Sequence, residues 1–199
     1  MTGIGFLETP TPSAGAQELF DADLRDYGYV MNASRLWAYQ PETHDALFDV
    51  MRQALSEHRL TIRERGVLVA ACASTLTDSY CSLAWGSRLA AESDADLAAG
   101  VLRGDDDGLT AAEKAMATWA RLVARDPNGT TAADVQALRD GGFDDAHIFS
   151  ITTFVALRIA FSTVNDALGA QPDPEFRNAA PAAVLDAVTY GRPIEATAG

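Results

Sequence analysis

Residues 60–89, LTIRERGVLVAACASTLTDSYCSLAWGSRL, read as two helices separated by a three-residue break. Thr61 followed by Glu64 is a capping-box pattern, in which the hydroxyl takes an amide three residues on and the carboxylate reaches back. A helix therefore opens there and runs to about Leu76. Thr77-Asp78-Ser79 reads as a break and restart, because short polar side chains favour helix entries over helix interiors. Asp78 is the expected N-cap of a helix through Glu92. Cys81 then falls at the third helical position, where unpaired N–H groups and the positive end of the helix dipole converge. Such a place stabilises a thiolate, which makes Cys81 a candidate reactive cysteine. Asp78, Cys81, Ser82 and Trp85 sit at i, i+3, i+4 and i+7 and share one face. The plainer alternative is a small buried apolar residue beneath a cap, since free cysteine is among the most buried residue types. An ionised Asp78 also opposes thiolate formation.

Working outward, almost nothing alternates with period two, and Ala, Leu, Arg and Glu fill the stretches between breakers. Residues 1–14, rich in Pro, Gly, Thr and Ser, form an extended lead-in. A helix from near Ala16 fades before Gly28. Pro41-Glu42-Thr43 opens another, with proline where its missing N–H costs nothing, and turns Ala46, Leu47, Val50, Met51 and Leu55 inward. Ser93 is the expected cap of a short helix ending at Gly104. Thr110 with Glu113 repeats the capping box and opens a helix to about Arg125. Thr131 caps a short helix closed by Gly141-Gly142, and Asp144 or Asp145 caps a long one closing at Leu168-Gly169. Residues 15–170 thus form one helical domain, and 171–199 a proline-punctuated tail with a helical piece near Ala182 to Thr189. The fold class is all-α.

The chain has 199 residues, of which 48% are hydrophobic, enough for a sizeable core. Fifteen Lys+Arg against 28 Asp+Glu give a net charge of −13. That surface repels phosphate backbones and anionic lipid headgroups, so nucleic-acid and membrane-surface roles are disfavoured. The N-terminus lacks a basic segment followed by an apolar one. The apolar run Gly66 to Leu76 falls well short of a membrane span, and Ile148 to Leu168 is interrupted by Arg158, Asn165 and Asp166. A cytoplasmic chain with Cys72 and Cys81 as free thiols is expected. On one continuous helix these two would lie roughly 13 Å apart along the axis, too far for a disulfide, so Cys72 reads as core.

Other chemistry is sparse. His44, His58 and His147 have no metal-ligand spacing, so neither a metal nor a cofactor is expected; His147 should be exposed. No phosphate loop, dinucleotide fingerprint or Ser/His/Asp order is present. His147, Ile151, Phe154, Arg158, Phe161 and Asn165 fall along one stripe of the long helix. An arginine among aromatics is more often paired or snorkelling than a substrate anchor, so a salt bridge is the first expectation for Arg158.

The stretch containing Cys81 also resembles the core motif of the AhpD-like/carboxymuconolactone decarboxylase superfamily, of the form E…C-x-x-C-x-x-x-H astride a helix break. RERGVLVAACASTLTDSYCSLAWG has the preceding helix, the short turn and a Tyr-Cys pair opening the next helix. Tyr29-Val30 to Pro41-Glu42, and Gly142-Phe143-Asp144 with the helix ending Asp166-Ala167-Leu168-Gly169, are similar to the peroxidase-related branch. The resemblance implies a compact helical homo-oligomer. It places Cys81 on the second motif cysteine, the one that attacks peroxide. Asp78 replaces the first, resolving cysteine and Trp85 replaces the histidine. The relay glutamate falls on Gly66, with Glu64 two positions away, so a two-cysteine cycle is not possible here. The resemblance leaves a single-cysteine oxidoreductase on a small organic or peroxide substrate, with a sulfenic acid restored by an external thiol. Its site would comprise Cys81, Asp78 and Glu64, with Tyr80, Trp85 and Arg158 at the substrate. The alternatives are a cofactor-free decarboxylase, isomerase or dehydratase using Asp78 or Glu64 as acid/base, and a non-catalytic member of the fold.

Overall fold

In the computed structural model, which describes residues 5–196, eleven α-helices follow one another with no strand among the described residues. They are α1 (Ala14–Asp26), α2 (Asn32–Trp37), α3 (Pro41–Ala54), α4 (Ile62–Thr75), α5 (Ser79–Glu92), α6 (Ala95–Arg103), α7 (Ala111–Arg125), α8 (Ala132–Asp140), α9 (Asp145–Ala167), α10 (Phe176–Ala179) and α11 (Ala182–Ala187). The fold is an all-α bundle, as expected. The expected Pro41 start, the Asp78 and Asp144 caps, and the capping boxes at Thr61 and Thr110 are all present.

The centre of the bundle is α4. From Gly66 to Ala73 every residue is buried, and the helix packs against α5, α6, α7 and α9. A helix that is apolar all round has to be enclosed in this way. Gly66 is what lets α5 come close: a Cβ there would sit 3.0 Å from Cβ of Leu89, which is itself fully buried.

Between α4 and α5 the chain reverses within three residues. Thr77 takes the left-handed conformation at φ +59°, unusual for a β-branched residue. Its amide donates to Ser74 O at 3.2 Å, and the Asp78 amide to Ala73 O at 2.9 Å, which completes a Schellman closure of α4. The tail clamps this turn from outside. Ser79 Oγ donates to Arg192 O at 2.7 Å, and Tyr190 OH donates to Ser82 Oγ at 3.1 Å. Gly191, at φ +71°, fits because a Cβ there would lie 2.4 Å from Thr77 O.

Helix α9 is long and apolar enough, by length and composition, to cross a membrane. Its stripe of Ile148, Ile151, Phe154, Val155, Phe161 and Asn165 is nevertheless buried, against α3, α4, α7 and α8. It is a core helix of the bundle, packed beside α4. Trp37 joins this stripe, stacking on Phe161 and donating Nε1–H to Asn165 Oδ1 at 2.9 Å.

Several expectations change. The α6 cap is Asp94, not Ser93, because Asp94 Oδ1 takes the Leu97 amide at 2.8 Å while Ser93 closes α5. Leu47, Met51 and Leu55 turn inward as expected, but Ala46 and Val50 face solvent, and His44 and Phe48 take their place on the inner side of this stretch. His147 is half-buried, stacked on His58 and edge-on to Phe143. Helices α2 and α10 were not separated from their surroundings by periodicity, being only six and four residues long. Residues 1–4 of the expected lead-in lie outside the described residues.

Asp166, near the end of α9, has its carboxyl pushed up to about 7 by burial first and then by the negative charge of Asp78. Asp173 is pushed up to about 6, again chiefly by burial. Unfolded aspartates release their protons near 4, so between about pH 4 and 7 the folded chain holds protons that the unfolded chain has lost. The contribution of these groups to stability is therefore present at low pH and falls as pH rises through that window. In urea unfolding at about pH 4.5 and 7.5, Asp166→Asn should gain about 1–2 kcal/mol on wild type at the higher pH. An unchanged difference between the two pH values would contradict this assignment.

Candidate functional site

Asp78 enters the site as a helix cap. Its Oδ1 accepts the Cys81 amide at 2.9 Å, which fixes Cys81 in the first turn of α5. The side chain is fully buried, and Oδ2 has no hydrogen-bond partner among the described residues. From there Cys81 faces α9. Nη2 of Arg158 donates to Sγ at 3.4 Å, and the Ser162 hydroxyl donates to it at 3.6 Å. Arg158 and Ser162 are one helical turn apart, so both reach the same sulfur.

Arg158 is only 5% exposed, and no carboxylate lies within ion-pair distance of it among the described residues. The salt bridge expected from sequence is absent. Its guanidinium carbon lies 5.0 Å from the centre of the Phe161 ring and 5.5 Å from that of Trp85, and its Nε has no partner. Two aromatic faces and a sulfur hold this cation in place of an acid.

Burial decides the protonation of the sulfur. Cys81 is 2% exposed, and desolvation pushes its thiol far above the usual range, with the Asp78 charge adding in the same direction. Arg158 and Ser162 pull downward without offsetting this. The helix N-terminus that favoured a thiolate in sequence terms is outweighed. Cys72 is a buried free thiol in the core, pushed up to about 12 mainly by desolvation.

Beside Arg158 and Trp85 opens a cavity of about 800 Å³. Phe48, Met51, Leu55, Ile62, Trp85 and Phe154 form its apolar walls, and Arg158 is at once a wall of the cavity and a donor to Cys81. A second cavity, of about 550 Å³, lies between the N-terminal lead-in and the tail and contains none of these groups.

Among the remaining candidates, Trp85 is at the site and two others are not. Glu64 is held by its own capping box, with Oε2 taking the Thr61 amide at 2.7 Å and its hydroxyl at 2.8 Å. It lies at the opening of α4, roughly 12 Å along the axis from Cys72, at the other end from the α4–α5 turn. Tyr80 is buried on the opposite side of α5, where its hydroxyl donates to Asp173 and accepts the Ala33 amide at 3.3 Å. It braces the tail and lines neither cavity. Ser162 was missed in the sequence, although its spacing from Arg158 was the available signal.

No family model matches the chain, and no curated protein is significantly similar to it. Solved structures are similar. The alkylhydroperoxidase AhpD core of an uncharacterized peroxidase-related protein from Ralstonia eutropha JMP134 is 22% identical with a TM-score of 0.77, covering 88% of this chain and 96% of that one. An uncharacterized peroxidase-related protein from Silicibacter sp. TM1040 is 22% identical with a TM-score of 0.78, covering 89% and 96%. The debrominase Bmp8, solved as a cysteine-to-alanine variant in complex with 2,3,4-tribromopyrrole, is 16% identical with a TM-score of 0.70, covering 90% and 96%. The fold is therefore AhpD-like.

Burial and the raised thiols predict slow alkylation. Intact mass after brief treatment with iodoacetamide at neutral pH should show no adduct on the native chain and two after unfolding. Rapid addition to the native chain would contradict the protonation derived for Cys81.

Proposed function

We propose that this AhpD-like chain is a single-cysteine, thiol-dependent oxidoreductase of the peroxidase-related kind, with Cys81 as the group that is oxidised. The observation that supports the reading is the pair of donors on one sulfur, the Arg158 guanidinium at 3.4 Å and the Ser162 hydroxyl at 3.6 Å. A cysteine that only fills space needs neither, and a buried arginine that only packs is ordinarily given a carboxylate. The donors are placed to receive negative charge on sulfur as the thiol gives up its proton, while burial keeps the resting thiol neutral.

The sulfur attacks the distal peroxide oxygen, the O–O bond breaks, and the thiol proton leaves with the alcohol. Cys81 becomes a sulfenic acid. An external thiol condenses with it, releasing water, and a second thiol returns the cysteine and leaves as disulfide. The Asp78 carboxylate cannot serve as resolving group, so the reductant comes from outside the motif. No cofactor enters this cycle.

Intact mass after stoichiometric organic hydroperoxide should show one added oxygen in wild type and none in Cys81→Ser. The rate should climb without levelling from about pH 7 to about pH 10, because the reactive thiolate stays a minor species throughout. Equal oxidation of both proteins would overturn the reading.

A second reading rests on the unpartnered Oδ2 of Asp78, a buried carboxylate suited to proton transfer. It requires Asp78→Asn to abolish turnover of a carbon acid while Cys81→Ser is tolerated.

We also propose a cytoplasmic homo-oligomer that uses the outer face of α9. Phe149 is 74% exposed there, with Ala156 and Ala160 along the same side. Phe149→Asp should lower the mass measured by light scattering to that of the monomer, and a wild type already monomeric would remove the proposal.

A further inference from the structure

Five of the chain's 14 arginines line the cavity beside Cys81: Arg52, Arg59, Arg65, Arg88 and Arg158. No carboxylate lines it. In a chain of net charge −13 this is a local inversion of sign. Among the described residues, Arg52 alone of the five has an ion-pair partner, Asp49. Arg88 stacks over Trp85 at 4.8 Å and donates to the Tyr27 hydroxyl, and Arg65 Nε donates to Leu60 O at 3.1 Å. Arg59 is exposed and makes no side-chain hydrogen bond or ion pair among the described residues. At the inner end, Arg158 is nine-tenths buried and its Nε is unpartnered. Guanidinium groups gathered without acids raise one another's energy by like-charge repulsion, a cost that a bound anion relieves.

Apart from Ser56, the rest of the lining is apolar. Phe48, Met51, Leu55, Ile62, Trp85 and Phe154 enclose a space whose volume falls in the usual range for small-molecule sites. We infer that this cavity binds an organic anion, a carboxylate carried on an aromatic or otherwise apolar body. The body lies against these walls, and the carboxylate is taken by the unpaired arginines. A free inorganic anion would leave the walls wet, and a neutral hydrocarbon would leave the guanidiniums uncompensated. As a substrate class for Cys81, this rests on the reading of that thiol as the reacting group. A hydroperoxide on such a carboxylate would be reduced to the alcohol by the balanced steps above. The binding itself does not depend on Cys81 reacting.

The test uses two fluorescent probes of similar aromatic body, anionic 8-anilinonaphthalene-1-sulfonate and neutral N-phenyl-1-naphthylamine. The anion should bind saturably, about tenfold or more tighter than the neutral dye, and weaken with added salt. Arg59→Glu, at a side chain without a hydrogen-bond or ion-pair partner among the described residues, should weaken the anion about fivefold or more and leave the neutral dye unchanged. Energy transfer from tryptophan to the bound anion should drop in Trp85→Phe, which places the dye in this cavity. 1-Naphthoate should displace it and 1-naphthalenemethanol should not. Equal affinity for both dyes, indifference to Arg59→Glu, or transfer independent of Trp85 would each overturn the inference. Cys81→Ser should bind the anion as wild type does. Anion binding in a wild type that peroxide does not modify would keep the cavity and remove the thiol reading. Peroxide modification without anion preference would do the reverse.

Discussion

The site depends on a reversal of direction made in three residues. Thr77 in the left-handed region ends α4, and the Asp78 carboxylate starts α5 by taking the Cys81 amide. A longer connection would leave α5 free to slide along α4, and the sulfur would lose its register against α9. Here the close approach of the two helices at Gly66 and Leu89 fixes one end of the pair and the capped turn fixes the other. Residues 190–192 hold the turn by two side-chain hydrogen bonds and by the tight seat of Gly191 against Thr77 O. The tail, remote in sequence, is thus part of what positions Cys81.

Two electrostatic effects compete at that cysteine, and their sizes settle its resting state. A helix N-terminus and a guanidinium favour a thiolate, each acting over a short range. Complete desolvation opposes it, and a buried carboxylate three residues away adds to the opposition. Desolvation prevails, so the thiol is neutral at rest. Arg158, buried beside it, has no carboxylate within ion-pair distance among the described residues. One cation therefore faces two ways, toward a sulfur that does not carry charge at rest and toward a cavity that contains no acid.

Much of this was legible in the sequence because it was local. Capping boxes, the Pro41 start and the Asp78 cap are fixed by side chains within three or four residues of the backbone they satisfy. The placement of Cys81 and Trp85 on one face followed from helical spacing alone. What was not legible was which neighbour each face would meet. Val50 fits the inward period of α3 yet faces solvent, since an amphipathic stripe is broader than the contact it makes. Glu64 is the right chemical type two positions from the relay site, but its carboxylate is already committed to its own cap. Tyr80 adjoins Cys81 in sequence and points the other way around the helix, to Asp173 from the distant tail. The convergence of five arginines from α3, α4, α5, α9 and the α3–α4 loop on one cavity is a purely tertiary fact.

Gly66 occupies the position where the resemblance places a relay glutamate, and the packing around it limits what side chain can stand there. Any Cβ there would press on Leu89, a fully buried residue, at 3.0 Å. A side chain there needs Leu89 to give way, and trimming Leu89 to make the room, a large-to-small change at a fully buried position, costs about 2–5 kcal/mol. That is a substantial share of the stability of a typical single domain. A relay acid at this position therefore carries a packing cost between α4 and α5. Helix packing, as much as chemistry at the sulfur, sets which side chains this position accepts.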